Sequence, residues 1–571
     1  NAEPASTNSY HVQGYYTNDW TWTNTATYQK TFLGVHDVKV VLGTEAYSYK
    51  FHDQTGNRQD YFSFDPNFVS LSTGSGTQTV SSTRSANKLF SLFGRVNYSY
   101  KDKYLFSATL RRDGSSKFVN NQYGFFPAAS IGWRISQENF MKNISWLTDL
   151  KLRAGYGIMG NQLNVNANNG YTTYVGDSQE SYYAITGSNS NLAVGFQQNT
   201  YGNPNAKWEK DANGDVGFDA TLFNGHLMLT GDYYVKDVKD LLYNPQLPGT
   251  AGLAAAPTIN VGSMRDRGFD GSIEGTGTLV GELKYDATLT LTTYTNKIVK
   301  IAANQTYFDQ DSRRFNGGAI IRNAVGHAMS SFYGYKIVGF WNSQAEIDAA
   351  NAAAQKATGD PTAVYEADMG VGRFKYADTN GDGVITANDR QFLGSPNPKF
   401  TYGFNLGLTY KNWDFSAFLY GVQGNKIWNQ VKWWTDFYNS FQGAKSTTAL
   451  YNSWTPQNHN AVAPIQEPGS YFSTNQVPNS YYVENGSYLR LKNIQVGYTL
   501  PHSFLGQYGV SQLRFYVQAA NILTATKYSG LDPEVGFNQG AGNTGSYTDF
   551  GVDEGSYATP RSVIVGVNLK F

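Results

Sequence analysis

The chain has 571 residues, no cysteine, and 44 basic against 44 acidic side chains, so it carries no net charge to attract nucleic acid or a strongly acidic partner. The lack of cysteine excludes disulfide staples, thiolate metal sites and cysteine nucleophiles. Aromatic residues reach 15%, glycine counts 59, and charged residues are only 15%, well below the roughly 25% of an ordinary soluble domain. A membrane β-barrel has this composition, with its apolar outer face, aromatic girdles and polar lumen. A secreted β-sandwich or carbohydrate-binding repeat shares it, and composition alone leaves both open. No apolar run approaches the roughly 18 residues of a spanning helix, so any membrane passage is by a closed barrel. The first ten residues are polar and lack the apolar centre of a signal peptide, so the chain reads as a mature or truncated product.

Taken in chain order, about fifteen strands are expected. They start near Trp20, His36, Leu89, Tyr104, Phe125, Leu147, Lys207, His226, Asn260, Glu282, Lys399, Trp413, Tyr488, Gln512 and Arg561. Alternation is clean in several. Tyr104, Phe106, Ala108 and Leu110 oppose Ser107, Thr109 and Arg111. Leu150, Leu152, Ala154 and Tyr156 oppose Lys151 and Arg153. The last strand sets Val563, Val565, Val567, Leu569 and Phe571 against Asn568 and Lys570. In a barrel the apolar sets face lipid and the charged sets face the lumen. Slipping the register by one would expose charge to lipid at about 2–4 kcal/mol per side chain near the midplane.

The connections separate barrel from sandwich. Short links at Gly34–Val35, Lys101–Lys103, Asn224–Gly225, Gly281 and Lys411–Asn412 alternate with long ones at 51–87, 160–206, 301–398, 424–487 and 525–560. Short turns at one end and long loops at the other are the outer-membrane pattern, periplasmic and extracellular respectively. The long loops at 301–398 and 424–487 are thus expected outside the cell, and residues 1–19 are expected to belong to another extracellular loop. The reading is all-β, a transmembrane antiparallel barrel. An odd strand number leaves open edges, so a missing N-terminal segment is expected to complete it.

Six stretches in order carry a resemblance: residues 93–114 (FGRVNYSYKDKYLFSATLRRDG) with GFFP at 124 and GWRI at 132, LKLRAGYGIMGNQ from Leu150, DTNGDGVITANDRQFLGSPNPKFTYGFN from Asp378, GSYLRLKNIQVGYTLP from Gly486, TKYSGLDPEV from Thr526, and the ending GVDEGSYATPRSVIVGVNLKF. Together they cover nearly the whole chain and resemble the SusC/RagA family of TonB-linked outer-membrane transporters of Bacteroidota. One departure is Ala558–Thr559–Pro560, where the family often places proline directly after the tyrosine. The resemblance implies a 22-stranded barrel with an N-terminal plug, of which this chain would hold about fifteen strands. It also implies contact with TonB through the missing N-terminal part, a SusD-like surface lipoprotein as partner, and import of oligosaccharides or peptides.

Residues 378–389 follow the D-x-N-x-D-G-x-I-x-x-x-D calcium-loop spacing. Asp378, Asn380, Asp382 and Asp389 supply side-chain oxygens, Val384 supplies a carbonyl, and Gly383 makes the sharp turn. The loop's last ligand is Asp rather than the longer Glu, and the competing reading is a solvated Asx/Gly turn. A calcium here would be structural. Trp428, Trp433, Trp434 and Tyr438, with Phe437 beside them, are candidates to stack on substrate or to meet a partner, against the plainer reading of loop packing. Residues 343–356 read as a short helix with a Ser343/Glu346 capping box. Asp532 and Glu534 flank a proline and read as fixing a loop rather than as an acid–base pair. The seven histidines show no metal spacing and the glycine runs no phosphate-loop context, so no enzyme active site is expected. The alternative functions are a barrel-anchored receptor or adhesin and a secreted glycan-binding or glycan-cleaving β protein.

Overall fold

The computed structural model describes residues 8–571 except 177–180, 186, 188–191, 246, 248, 303, 304, 311–314, 316, 317, 439–444, 506–508 and 537–549. Fifteen strands carry the fold. They are β1 (Ser9–Phe32), β2 (His36–Gln59), β3 (Gln78–Tyr100), β4 (Tyr104–Ser115) and β5 (Tyr123–Arg134). Next come β6 (Leu147–Asn161), β7 (Glu209–Leu222), β8 (Leu227–Lys239), β9 (Ser263–Val280) and β10 (Leu283–Lys300). The last are β11 (Phe400–Tyr410), β12 (Trp413–Gln423), β13 (Tyr488–Thr499), β14 (Gln512–Thr526) and β15 (Ser562–Lys570). They form one sheet whose order follows the chain, as alternating short and long connections require. Among the described residues β1 pairs only with β2, and β15 only with β14.

Two expectations need correction. Residues 9–19 are not a loop. Ser9 pairs with Gln59 and the register with β2 holds without a break to Phe32. The link expected at 51–87 shrinks likewise to 60–77, because β2 and β3 stay paired out to Arg58 and Gln78. A bilayer needs only about 9–11 residues of tilted strand, so these 24-residue strands run on well past it. Beyond the span there is no lipid face to enforce apolar alternation. The polar HVQGYYTND run therefore pairs through its backbone without the pattern that marks a strand in sequence.

Short turns close one end tightly. Lys101 and Asp102 both take left-handed backbone, φ 52° and 53°, and Lys103 N donates to Tyr100 O at 3.0 Å. Lysines flank these turns and lie over neighbouring rings: Lys101 over Tyr100 at 5.3 Å and Lys411 over Tyr410 at 5.5 Å. Aromatic side chains with snorkelling lysines are what a membrane–water boundary selects.

Two compact units can be distinguished by internal contact density, residues 1–133, 153–214 and 237–261, and residues 134–152, 215–236 and 262–571. In the first, Arg111 donates to Glu45 at 3.0 Å, Asp113 at 2.7 Å and Ser91 at 2.8 Å, all on one polar face of β2–β4. Leu42, Leu92 and Leu110 occupy the other face and are exposed. The connections of this unit have their own small core of Phe118, Phe126, Val165, Trp208 and Leu242. Beside it, buried Glu209 accepts from Leu242 N and Asn161 Nδ2, both at 2.8 Å.

The second unit shows the same division. Lys151 Nζ meets Asp219 at 2.7 Å, while Leu152 on the opposite face is exposed. Arg514 of β14 reaches across β13 to grip Asp414 of β12 at 2.9 and 2.5 Å. Its path crosses Gly497, where a Cβ would fall 2.4 Å from the guanidinium, so only glycine lets the clamp lie flat. No helix of the described residues is long and apolar enough to cross a membrane.

Candidate functional site

At the long-loop end of the second unit, three connections fold together instead of hanging free. Residues 301–398 contribute a four-stranded sheet and α1 (Gln344–Thr358), while 424–487 and 527–561 contribute a three-stranded sheet built from both. Ser343 caps α1 by accepting from Glu346 N at 3.2 Å, and Gly359 ends it at φ 73°. The other half of the expected box shifts by one residue, with Glu346 accepting from Asn342 N at 3.0 Å. The loops enclose one aromatic core: Phe332, Phe374, Tyr376, Trp428 and Tyr482 are all at most 1% exposed.

Trp428 is therefore not a contact residue. Its ring is 0% exposed, stacks on Tyr482 at 5.3 Å, meets Phe315 edge-on at 5.7 Å, and donates Nε1–H to Gln430 at 3.0 Å. Burying an indole of this size stabilises by about 5 kcal/mol from apolar area alone, which explains why the most central loop tryptophan is spent on packing. Trp433, Trp434 and Tyr438 form a separate half-buried cluster. Trp433 stacks on Tyr438 at 5.3 Å, and Trp434 meets both edge-on at 5.0 Å. Phe437 turns inward against Tyr481. Beside the cluster, buried Asp436 accepts from Tyr481 Oη at 2.6 Å, and burial, reinforced by this acid, pushes the Tyr481 phenol far above its usual range.

The 378–389 loop adopts successive Asx turns. Asp378 accepts from Gly381 N at 2.7 Å and Gly383 N at 2.9 Å, Asn380 from Asp382 N at 2.9 Å, and Asp382 from Val384 N at 3.0 Å. Gly383 sits at φ 87°, as the sharp turn at that position requires. Asp389, the last expected ligand, is set deeper than the others. It is fully buried and both oxygens are taken by backbone, from Thr379 N and Thr386 N at 2.8 Å each. Its side chain both closes a capping box on a single helical turn and reaches across the loop to the Thr379 amide. Among the described residues no three His, Asp or Glu side chains converge as a metal site. All five positions offer oxygen donors of the kind calcium takes, and Asp389 differs from Asp378, Asn380 and Asp382 in being fully buried.

Asp532 and Glu534 do fix a loop. Arg490 Nη2 holds Asp532 at 2.6 Å and its Nη1 holds Glu534 at 2.8 Å, while Lys492 also pairs with Glu534. Burial would raise the Asp532 carboxyl, but Arg490 and the amides of Glu534 and Thr559 prevail and hold it at about 2. Glu484 behaves similarly: burial is outweighed by Lys432 at 2.9 Å and by Ser529, which keep it below the usual range. Glu366 is the opposite case. It is 1% exposed, Oε2 accepts from Tyr376 N at 3.0 Å, Oε1 has no partner among the described residues, and burial pushes its carboxyl up to about 8. Nothing in its sequence neighbourhood (AVYEADM) distinguishes Glu366 from a solvated loop acid.

Comparison with known proteins agrees with this architecture. The family model described as TonB dependent receptor-like, beta-barrel, matches residues 2–522. TonB-dependent receptor P3 of Formosa agariphila is 35% identical over 96% of this chain and 52% of its own length. TonB-dependent receptor SusC of Bacteroides thetaiotaomicron is 29% identical over 94% of this chain and 49% of its own. The chain thus spans about half the length of the curated relatives it matches. A solved structure of the RagAB peptide transporter superposes with a TM-score of 0.81 at 24% identity, covering 99% of this chain and 56% of the other, and so shares the fold. On these grounds the chain belongs to the TonB-dependent receptor-like β-barrel family, is similar within it to SusC, and is a protein of the bacterial outer membrane.

Proposed function

We propose that the protein imports oligosaccharides or peptides across the outer membrane, driven through TonB and assisted by a SusD-like surface lipoprotein. The observation that carries this reading is the loop assembly. Three long connections share one aromatic core, a rigid rim of the kind a docking lipoprotein and a captured solute both need. The half-buried Trp433, Trp434 and Tyr438 cluster is the patch on that rim suited to stack on a sugar or aromatic peptide side chain. Affinity purification of the tagged full-length protein from its native membrane is expected to bring down a lipoprotein in near-equal amount. Uptake of labelled maltooligosaccharides or of a labelled peptide mixture should stop when the proton-motive force is collapsed. Binding that persists while uptake is absent with or without energy would favour a barrel-anchored receptor or adhesin.

Calcium at the 378–389 loop belongs to the same reading, held by Asp378, Asn380, Asp382 and the Val384 carbonyl, with Asp389 bracing the loop from behind. Terbium luminescence sensitised by the loop's aromatic surroundings, displaced by calcium and abolished by Asp378→Ala, tests it. An unchanged melting profile in chelator together with no terbium signal would reduce the loop to a turn.

A further inference from the structure

The strand register puts a cation at the end of a lipid-facing series in β4. In β4, Tyr104, Phe106, Ala108 and Leu110 form the apolar, lipid-facing series, and Arg112 continues it. Arg112 lies beside Leu92 of β3 and Phe125 of β5 in the pairing. Arg111 turns the other way, into the polar network of Glu45, Ser91 and Asp113. Among the described residues Arg112 has no carboxylate partner. Its guanidinium instead lies 3.8 Å from the Tyr123 ring centre and 5.9 Å from that of Phe125.

Next to it the same face is hollow. Gly94 lies between Leu42 and Leu110 in the register and lines an open surface groove of about 670 Å³. Leu42, Leu92, Leu110 and Phe125 wall the groove, and Arg112 stands at its rim. Arg112 is eight residues beyond Tyr104, which begins the strand at the short-turn end. At roughly 3.3 Å per residue and a tilt of roughly 40°, that is about 20 Å up an apolar band about 25 Å tall. The guanidinium is therefore near the outer boundary of the hydrocarbon, within snorkelling reach of headgroups.

We propose that this groove holds an acyl chain of a phosphate-bearing glycolipid of the outer leaflet, with Arg112 gripping the phosphate. The charge decides the class of occupant. An uncommitted guanidinium at a lipid boundary is complemented by a phosphate oxyanion, which accepts its forked N–H donors. An apolar trough leading from it accommodates hydrocarbon. Tyr123, laid across Gly114, backs the guanidinium.

Native mass spectrometry of the full-length protein, delipidated and then offered defined lipids, tests this. The probes are monophosphorylated lipid A, its dephosphorylated counterpart and phosphatidylethanolamine. Wild type is expected to retain the phosphorylated lipid at least tenfold better than the dephosphorylated one. Arg112→Gln should erase that preference. Gly94→Leu, which narrows the groove without touching the charge, should weaken retention of both lipid A forms. Both variants should keep wild-type heat-modifiable migration, the sign of a folded barrel. Equal retention of the phosphorylated lipid by wild type and Arg112→Gln overturns the proposal. So does a change of oligomeric mass in Arg112→Gln with lipid retention intact, which would make this face a contact between copies of the chain.

Discussion

Replacing Glu366 by glutamine should stabilise the loop assembly at neutral and alkaline pH and leave it unaltered in mild acid. An exposed carboxyl with the ordinary value of 4.5 ionises from that pH upward, whereas the buried Glu366 holds its proton to about 8. Because the folded-state value is the higher one, folding takes up a proton between those limits, and stability falls as pH rises through that window. At pH 7 the cost is roughly 3 kcal/mol, approaching about 5 kcal/mol above pH 8. Glutamine removes the titration but keeps an oxygen to accept from the Tyr376 amide, as Oε2 does now at 3.0 Å. The unpaired Oε1 becomes an unpaired amide, a penalty of about 1–3 kcal/mol that the protonated acid already bears. Hydrogen exchange of residues 366–376, corrected for intrinsic rates, should show wild-type protection dropping between pH 6 and 8.5 while Glu366→Gln stays flat. Wild-type protection that does not vary with pH, or a variant less protected at pH 8.5 than wild type, would refute the reasoning.

Trp428→Ala should cost about 3–5 kcal/mol of local stability through the cavity it leaves, seen as accelerated exchange in all three core-forming loops, whereas Trp434→Ala should leave exchange unchanged and weaken solute binding. Asp532→Asn removes a carboxylate held at about 2 against an ordinary 3.8, a contribution present above pH 3.8 and lost as pH falls through 2. Limited proteolysis at pH 7 should therefore find the 527–561 loop loosened by roughly 2 kcal/mol. A spin label at Leu152 should report oxygen-rich hydrocarbon and one at Lys151 water, and the reverse pattern would break the register on which the lipid face rests.

How far the sequence could be read follows from where a periodic constraint acts on it. Within the bilayer, every second residue of β4 and β6 must satisfy lipid, so their faces were readable from alternation, whereas the Asp219 partner of Lys151 was not. Above the bilayer nothing enforces period two, and Ser9–Asp19 and the outer parts of β2 and β3 were misread as loop although their backbones pair fully. The aromatic-rich loop was recognised, but which tryptophan packs and which faces out depends on contacts between loops far apart in sequence. Trp428 meets Phe315 and Phe332 across more than ninety residues of chain. The calcium-loop turns were readable from spacing, since each Asx turn is local. Asp389 was not, because its capping role depends on the backbone it folds back onto. The carboxylates of Asp532 and Glu534 were assigned correctly to holding a loop, but their partner Arg490 was not foreseen.

The shared core also limits how such a rim diverges. Phe332, Trp428, Tyr482 and Val552 come from three separate connections yet fill one another's gaps. Transplanting a single connection from a relative would leave its neighbours facing voids or clashes, each as costly as a core truncation. New solute preferences are therefore expected to spread either by exchange of the three connections as one cassette or by drift confined to their outward-facing side chains.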